Sequence, residues 1–216
     1  YMDKLIGLLL AELDRLKLRD NTLIVFMGDN GTAKAQSDRA TIGGRRLAGE
    51  KGSMQEGGGL VPFIARWPGV TPSGKVNVHV ADASDLLPTF AEVAGVPLPA
   101  DRVIDGKSLV PYLKGETQPL RPWVFNQLGP NWYVREDGWK LNQAGELFDM
   151  KDAPFVEALV PADSKDPAAN AARARLAAAL AQLNPAGGIL DKGDGSGRSA
   201  NKEEKKKKKA AKAEGK

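Results

Sequence analysis

The order of apolar and polar positions predicts an N-terminal helix followed by a buried strand. Apolar residues recur at helical spacing between positions 2 and 17, at Met2, Ile6, Leu9, Leu13 and Leu16. After a polar break, the run LIVFM at 23–27 is continuously apolar. Such a run is typical of a strand buried on both faces of a parallel sheet. Because a helix, a turn and a buried strand are half of a βαβ unit, we predict a central parallel strand at 23–27.

The segment after this strand predicts a long loop and a second strand. Residues 31–59 are rich in Gly and charged side chains and show no clean period. Long loops of this kind in compact domains tend to be functional. The apolar run at 60–67 predicts a strand, and Pro62 is expected at its edge or start because proline has no amide hydrogen to donate.

Two helices are predicted in the next part of the chain. Residues 80–96 predict a helix that is capped by Asp82 or Ser84 and ends at Gly95. Residues 105–116 predict a turn followed by a short helix.

The C-terminal third predicts a small antiparallel sheet and one helix. Short aromatic and β-branched runs fill residues 121–150, and the turn dipeptides at 137–138 and 144–145 separate them as hairpin signals. The Ala-rich segment 166–184 predicts a helix that packs against this sheet. Residues 186–216 are rich in Gly, Ser and Lys and are predicted to be disordered.

Composition and charge exclude several classes of protein. The chain has 216 residues, 42% of them hydrophobic, and no cysteine, which excludes disulfides and thiolate metal sites. The longest apolar runs are too short for a membrane span, so none is predicted. Residues 202–216 carry a charge of +5, which leaves −1 for residues 1–201 out of a net +4. We therefore predict a solvated basic tail and no nucleic-acid partner; the alternative is that the tail contacts nucleic acid or an anionic surface.

The strand at 23–27 ends in two side chains that can bind a cation. Asp29 and Asn30 follow it directly and lie between Gly28 and Gly31. Ligands of parallel α/β sheets sit at the carboxyl ends of the strands, and an Asp carboxylate beside an Asn carbonyl suits Ca²⁺ or, less well, Mg²⁺. A zinc site would be expected to use imidazole or thiolate ligands. The alternative is a plain turn, because these residues are common turn formers.

Two cationic side chains are candidates for binding an anion. Lys51 lies in the glycine-rich stretch at 49–59, where its ammonium could reach an anion that also touches a metal; the alternative is a solvated loop lysine. Arg135 lies among aromatic residues at 129–137, where it could bind a sugar or an anionic group. The alternative for Arg135 is a plain hairpin of the small sheet.

Five segments together resemble one protein family. DNTLIVFMGDNG, GEKGSMQEGG with VPFIARWPG, DLLPT, DGKSLVPYLKG and WKLNQAGELFDM occur in the order and approximate spacing of the type I sulfatases. These formylglycine-dependent enzymes include the arylsulfatases, and the resemblance covers about residues 1–155. It implies an alkaline-phosphatase-like α/β fold with a smaller C-terminal subdomain, and hydrolysis of sulfate esters with calcium and formylglycine.

The resemblance assigns roles to individual residues of this chain. Asp29 and Asn30 match a pair of calcium ligands, Lys51 matches the lysine that contacts the sulfate, and Glu56 with the glycines after it matches a structural turn. It also implies three parts: the C-terminal part of the catalytic α/β domain at 1–118, a small α+β subdomain at 119–185, and the tail at 186–216.

The chain also departs from the family. Leu60 occupies a position where the family usually has arginine. No Cys/Ser-x-Pro-x-Arg segment occurs, and the sequence SDRA at 37–40 does not match it. The early aspartate pair of the calcium site has no counterpart, and His79 does not align with a family histidine, so we interpret it as structural.

The sequence therefore predicts a sulfatase fragment that supplies half of a calcium site and a sulfate-binding lysine. The formylglycine is expected in a missing N-terminal part, and the isolated chain is expected to be inactive. Alternatives are a phosphoesterase or phosphonate hydrolase of the same superfamily, or an inactive truncated relative. The expected partner is a sulfated small molecule or a carbohydrate sulfate, and the resemblance implies a periplasmic or secreted protein.

Overall fold

A computed structural model describes residues 1–185 of the chain. The helices are α1 (Met2–Arg15), α2 (Lys34–Ser37), α3 (Glu56–Gly59), α4 (Leu86–Ala94), α5 (Val110–Leu113) and α6 (Pro167–Leu183). The strands are β1 (Ile24–Met27), β2 (Phe63–Arg66), β3 (Val124–Leu128), β4 (Asn131–Arg135), β5 (Trp139–Asn142), β6 (Leu147–Asp149) and β7 (Ala158–Val160). The predicted disorder of residues 186–216 lies outside the described residues.

The chain forms two compact units. The first contains Tyr1–Asp29 and Pro62–Arg121, and the second contains Asn30–Val61 and the described residues from Pro122 onward. The loop segment thus belongs with the C-terminal sheet, although the sequence-based division placed it in the first part. The domain assignment itself stays a prediction.

The strand predicted at 23–27 is antiparallel, not parallel. Among residues 1–185, β1 pairs only with β2, with Val25 opposite Ala65, and the strand is half-buried with Met27 exposed. The predicted central parallel strand is therefore wrong for the described part of the chain. A continuous apolar run indicates burial but carries no information on the direction of the neighbouring strand. Pro62 does precede the second strand, and its carbonyl accepts a hydrogen bond from Gly28 N at 3.0 Å.

All three helices predicted in the first unit form, and the N-terminal one is α1. The segment before α4 opens with a capping box in which Asp82 accepts from Ser84 N and Asp85 accepts from Asp82 N. The helix ends at Gly95, whose φ of 67° is left-handed and therefore favours glycine. The short helix α5 follows at Val110–Leu113.

Asp85 is the polar centre of the first unit. Its side chain is fully buried and accepts hydrogen bonds from Lys107 N at 2.7 Å and from Arg121 Nη1 at 2.9 Å. Thr89 Oγ1 accepts from Leu109 N and donates to the Asp85 carbonyl. These bonds join the start of α4 to the turn before α5, so the DLLPT segment has a structural role.

The second unit confirms the antiparallel sheet predicted at 121–150 and its packing helix, and it adds the strand β7, which was not predicted. Five antiparallel strands follow one another in the order β3-β4-β5-β6-β7, and α6 packs across them. Their shared core consists of Val134, Leu141, Leu147, Ala169, Ala172, Leu176 and Ala179. Small alanines on α6 allow the helix to approach the sheet closely, and Asp166 caps its first turn through Ala168 N.

No helix among the 185 described residues is long and apolar enough to cross a membrane.

Candidate functional site

The two predicted metal ligands lie where the chain passes from the first unit to the second. Asp29 is exposed and is the last residue of the first unit's N-terminal segment, and Asn30 is half-buried and opens the second unit. They contribute one carboxylate and one amide oxygen. Within residues 1–185 no group of three or more His, Cys, Asp or Glu side chains could hold a metal ion.

A set of glycines brings the segment after Asn30 against the loop that carries Lys51. Gly31 N donates to Gly58 O at 3.1 Å. A Cβ at Gly31 would lie 1.9 Å from Gly57 O, and a Cβ at Gly58 would lie 2.1 Å from Ser53 O. Because no side chain fits into such contacts, these positions require glycine for close backbone approach.

Lys51 sits in a tight turn beside this contact. Its own amide donates to Thr32 O at 2.8 Å. The turn is closed by Ser53 N donating to Glu50 O at 2.9 Å and by Glu50 N donating to Ser53 Oγ at 3.1 Å. The Lys51 side chain is exposed. The structure thus joins the backbones next to Asn30 and at Lys51, and the roles of the side chains stay predictions.

The far end of the same loop rests on buried charges of the C-terminal sheet. Glu56 N donates to Glu157 Oε1 at 2.8 Å, and Lys140 Nζ donates to Met54 O at 3.2 Å. Lys140 and Glu157 form an ion pair with each other, and their side chains are 4% and 3% exposed.

Arg135 is paired within the second unit. Its Nε lies 3.3 Å from Glu56 Oε1, and the two side chains are 18% and 7% exposed. The approach lacks hydrogen-bond geometry, because Arg135 Nε has no hydrogen-bond partner among the described residues. Substrate binding by Arg135 stays a prediction, and the pairing with Glu56 favours the alternative of a hairpin residue.

Burial raises the pKa of the Glu56 carboxyl above its ordinary value, because the charged form loses hydration. The positive charges of Arg135 and Lys140 act in the opposite direction, and the negative charge of Glu157 adds to the increase. Glu56 is therefore an acid held in an unfavourable environment for its charge, with two cations close enough to compensate in part.

Sequence reasoning missed the role of Lys140 and Glu157. Lys140 sits between Trp139 and Leu141 in a strand, where a charged residue flanked by apolar ones is usually interpreted as solvent-facing. Glu157 precedes β7, which no turn signal predicted. The available signal for a buried Lys140 was its position as a lone lysine within an apolar run. A buried lysine needs a partner, so the same signal also pointed to a buried acid.

His79 has structural contacts, in agreement with its interpretation. Its Nε2 lies 2.8 Å from the Thr117 carbonyl oxygen, and its ring stacks on Tyr112 with the ring centroids 6.2 Å apart.

Comparison with known proteins identifies relatives of this chain. Residues 1–96 match the family model described as Sulfatase. Human steryl-sulfatase is 40% identical over 121 residues, which are 54% of this chain and 21% of that protein. Human arylsulfatase D is 34% identical over 164 residues, which are 70% of this chain and 28% of that protein. The chain thus spans only a fifth to about a quarter of the length of these relatives.

A solved structure has the same fold over most of the chain. BT4656, solved in complex with its substrate D-glucosamine-2-N,6-O-disulfate, superposes with a TM-score of 0.69 at 23% identity. The match covers 89% of this chain and 40% of that one. The matched family model and the two relatives agree, and together these comparisons support the sulfatase family for this chain.

Proposed function

We propose that the protein is a sulfuric ester hydrolase and that this chain supplies one part of its active site. Asp29 and Asn30 are the proposed ligands of a calcium ion, and Lys51 is the proposed cation that binds the sulfate group. Similarity to the sulfatase family supports the type of reaction, and the local structure supports the choice of residues.

One observation carries the assignment of residues. Lys51 N donates to Thr32 O, and Gly31 N donates to Gly58 O. The segment that contains Asn30 and the loop that contains Lys51 are therefore joined at two backbone positions, one at Lys51 in its turn and one at Gly58 in α3. Because these two segments are joined, the side-chain oxygen of Asn30 and the ammonium of Lys51 are proposed to belong to one site.

The chemistry of the two donors fits calcium. Carboxylate and amide oxygens are hard ligands, which suit Ca²⁺; Mg²⁺ is the less favoured alternative because it demands near-ideal octahedral geometry. Calcium takes about six to eight oxygen ligands, so other parts of the protein would have to complete the shell. When bound, the ion would act as a Lewis acid and neutralise charge on the sulfate oxygens.

Lys51 would stabilise the negative charge of the sulfate group. Its ammonium offers three donors and a full positive charge, and the side chain is exposed and so accessible to a substrate. The turn that carries it is already folded through the Glu50 and Ser53 hydrogen bonds. A loop that is folded before reaction needs no reorganisation of its backbone as charge develops on the departing alcohol oxygen.

The nucleophile is proposed to come from sequence outside these residues. No Cys/Ser-x-Pro-x-Arg segment occurs in the 216 residues. In the family that the chain resembles, this segment provides the formylglycine. The 216-residue chain by itself is therefore expected to show no turnover, while the protein as its gene encodes it is expected to cleave sulfate esters.

The proposal is tested by kinetics of the protein as its gene encodes it, on an aryl sulfate with calcium supplied. Lys51→Ala is expected to lower kcat/KM by roughly 10² or more, the scale for losing one preorganised donor. Asp29→Ala is expected to lower it at least as much. Lys34→Ala is the matched control, because this lysine is exposed and, within the part of the chain that the structure describes, forms its ion pair with Asp38, the C-cap of α2.

Unchanged rates in both Lys51→Ala and Asp29→Ala would refute the assignment of these residues. A higher kcat/KM on an aryl phosphate than on the aryl sulfate would favour the phosphoesterase alternative instead.

A further inference from the structure

The proposed mechanism leaves one set of buried charges without a role. Glu56, Arg135, Lys140 and Glu157 lie where the Lys51 loop meets the C-terminal sheet. The Lys140 and Glu157 side chains are almost completely buried. Burying an ion pair costs several kcal/mol of hydration per ion, on the order of what its attraction returns, so stability alone is a weak reason for its presence.

Each member of the Lys140–Glu157 pair, here called the anchoring pair, binds the backbone of the loop. Lys140 Nζ donates to Met54 O at 3.2 Å, and Glu157 Oε1 accepts from Glu56 N at 2.8 Å. One ion pair thus provides a charged donor and a charged acceptor to two backbone groups that are two residues apart. Hydrogen bonds to ionised groups are shorter and stronger than neutral ones.

These two backbone groups lie directly after the turn that carries Lys51. The turn is closed between Glu50 and Ser53, and Met54 is the next residue. On the other side of the anchored segment, Gly57 N donates to Ala48 O at 2.6 Å. The position of the turn is therefore defined relative to the sheet through Met54 and Glu56.

The surroundings of the anchoring pair compensate its charges. Arg135 faces Glu56. The Lys140 ammonium lies 5.0 Å from the ring centroid of Tyr133 and 5.3 Å from that of Phe148, distances at which an aromatic ring attracts a cation. The two carboxyl groups and the two cations balance in charge when all four are ionised.

We propose that Lys140 and Glu157 are positioning residues for Lys51: they fix the loop on the sheet so that the Lys51 ammonium is held where it binds the sulfate. This inference rests on the proposed function of Lys51. The two residues touch neither substrate nor metal, and they act on the reaction only through the backbone of Met54 and Glu56.

The test combines the anchoring pair with Lys51 in the protein as its gene encodes it. The double variant Lys140→Met/Glu157→Gln removes both charges together, so that no single buried charge is left uncompensated. It is expected to lower kcat/KM on an aryl sulfate about 10-fold, since small misplacements of a binding group cost rate. Added to Lys51→Ala, the same double variant is expected to lower kcat/KM no further.

A second measurement reports the loop directly. Amide hydrogen exchange at Lys51 and Gly57 is expected to become at least about 10-fold faster in the double variant, while that of Val134 and Leu141 in the sheet core stays within about 2-fold, because only the loop loses its anchor. The control variant Glu136→Gln removes the exposed ion pair to Arg175 on the same sheet and is expected to change neither kcat/KM nor loop exchange. If the double substitution prevents folding, Lys140→Gln/Glu157→Gln, which also removes both charges but keeps polar side chains at both positions, is measured against the same criteria.

The outcomes separate this inference from the proposed function. An unchanged kcat/KM in Lys51→Ala would overturn both. If Lys51→Ala lowers the rate but the anchoring-pair variant leaves rate and loop exchange unchanged, the positioning role is overturned alone. The positioning role is also overturned if the anchoring-pair variant lowers kcat/KM by the same factor in Lys51→Ala as in the wild type. The pair would then act through a group other than Lys51.

Discussion

Glu56 shows how burial and charge act together on one side chain. Its backbone amide is held by Glu157, and its carboxylate faces Arg135. Because burial raises its pKa, the folded protein holds a proton at Glu56 in a pH range where the unfolded chain has released it. This difference makes the stability of the second unit depend on pH.

The sign of that dependence gives a prediction for Glu56→Gln. The contribution of Glu56 to stability is fully present below its unfolded pKa, near 4.5, and is lost as pH rises through the higher folded pKa. The free energy of unfolding of the wild type relative to Glu56→Gln is therefore expected to fall from pH 4 toward neutrality. Urea unfolding followed by tryptophan fluorescence across this range measures it.

Asp38 provides a contrast of opposite sign. The hydrogen bond from Lys34 lowers the pKa of Asp38, so its contribution is lost as pH falls, and Asp38→Asn is expected to show the reverse trend. If the free energies of unfolding of the wild type and Glu56→Gln differ by the same amount at every pH, the raised pKa of Glu56 is contradicted.

At the scale of elements, α3 is defined by close backbone contact and not by side-chain packing. Three of its four residues are glycines, and their surroundings differ. A Cβ at Gly58 would meet Ser53 O at 2.1 Å and Glu50 O at 3.0 Å, whereas a Cβ at Gly59 would meet only Tyr133 Oη at 3.4 Å and Asn126 Nδ2 at 3.5 Å.

Adjacent glycines therefore give a matched pair of variants. Gly58→Ala is expected to lower the free energy of unfolding by about 1–3 kcal/mol, the usual cost of overpacking, because backbone oxygens cannot move aside easily. Gly59→Ala is expected to change it by less than about 1 kcal/mol, since its contacts are of ordinary length and alanine favours a helix. Equal effects of the two variants in urea unfolding would show that the contacts at Gly58 are not tight.

Local signals predicted α1, α4, α5, α6 and four strands of the C-terminal sheet, but not α2, α3 or β7. The first sheet needed information that is not local. Gly95 ends α4, and Asp166 with Pro167 begins α6, because caps and prolines act within one turn. The antiparallel direction of β1 depends on β2, far along the chain. The anchoring pair likewise joins residues 54–56 to positions 140 and 157, a contact that no short motif encodes.

At the scale of the whole molecule, the two units have separate centres. Asp85 with Arg121 organises the first, and Leu176 on α6 fills the core of the second. Removing one partner of a buried ion pair costs about 3–5 kcal/mol, and Leu→Ala in a core costs about 2–5 kcal/mol.

We expect each substitution to destabilise only the unit in which it lies. Asp85→Ala should speed amide exchange at Lys107 and Leu109, whose amides bond to Asp85 and Thr89, and should leave the sheet amides of β4 and β5 unchanged. Leu176→Ala should do the opposite. Faster exchange throughout the described residues in both variants would mean that the two units unfold as one cooperative body.

The burial of the anchoring pair also determines how the protein would respond to ionic strength. Mobile ions screen exposed charges over about 8–10 Å but reach buried pairs poorly, so added salt would weaken an exposed pair such as Asp101–Arg102 and leave Lys140–Glu157 intact. The loop would keep its place while the attraction between Lys51 and a sulfate ion weakened. A fall of kcat/KM with rising salt would then measure the long-range attraction of the substrate itself, free of any loosening of the loop that receives it.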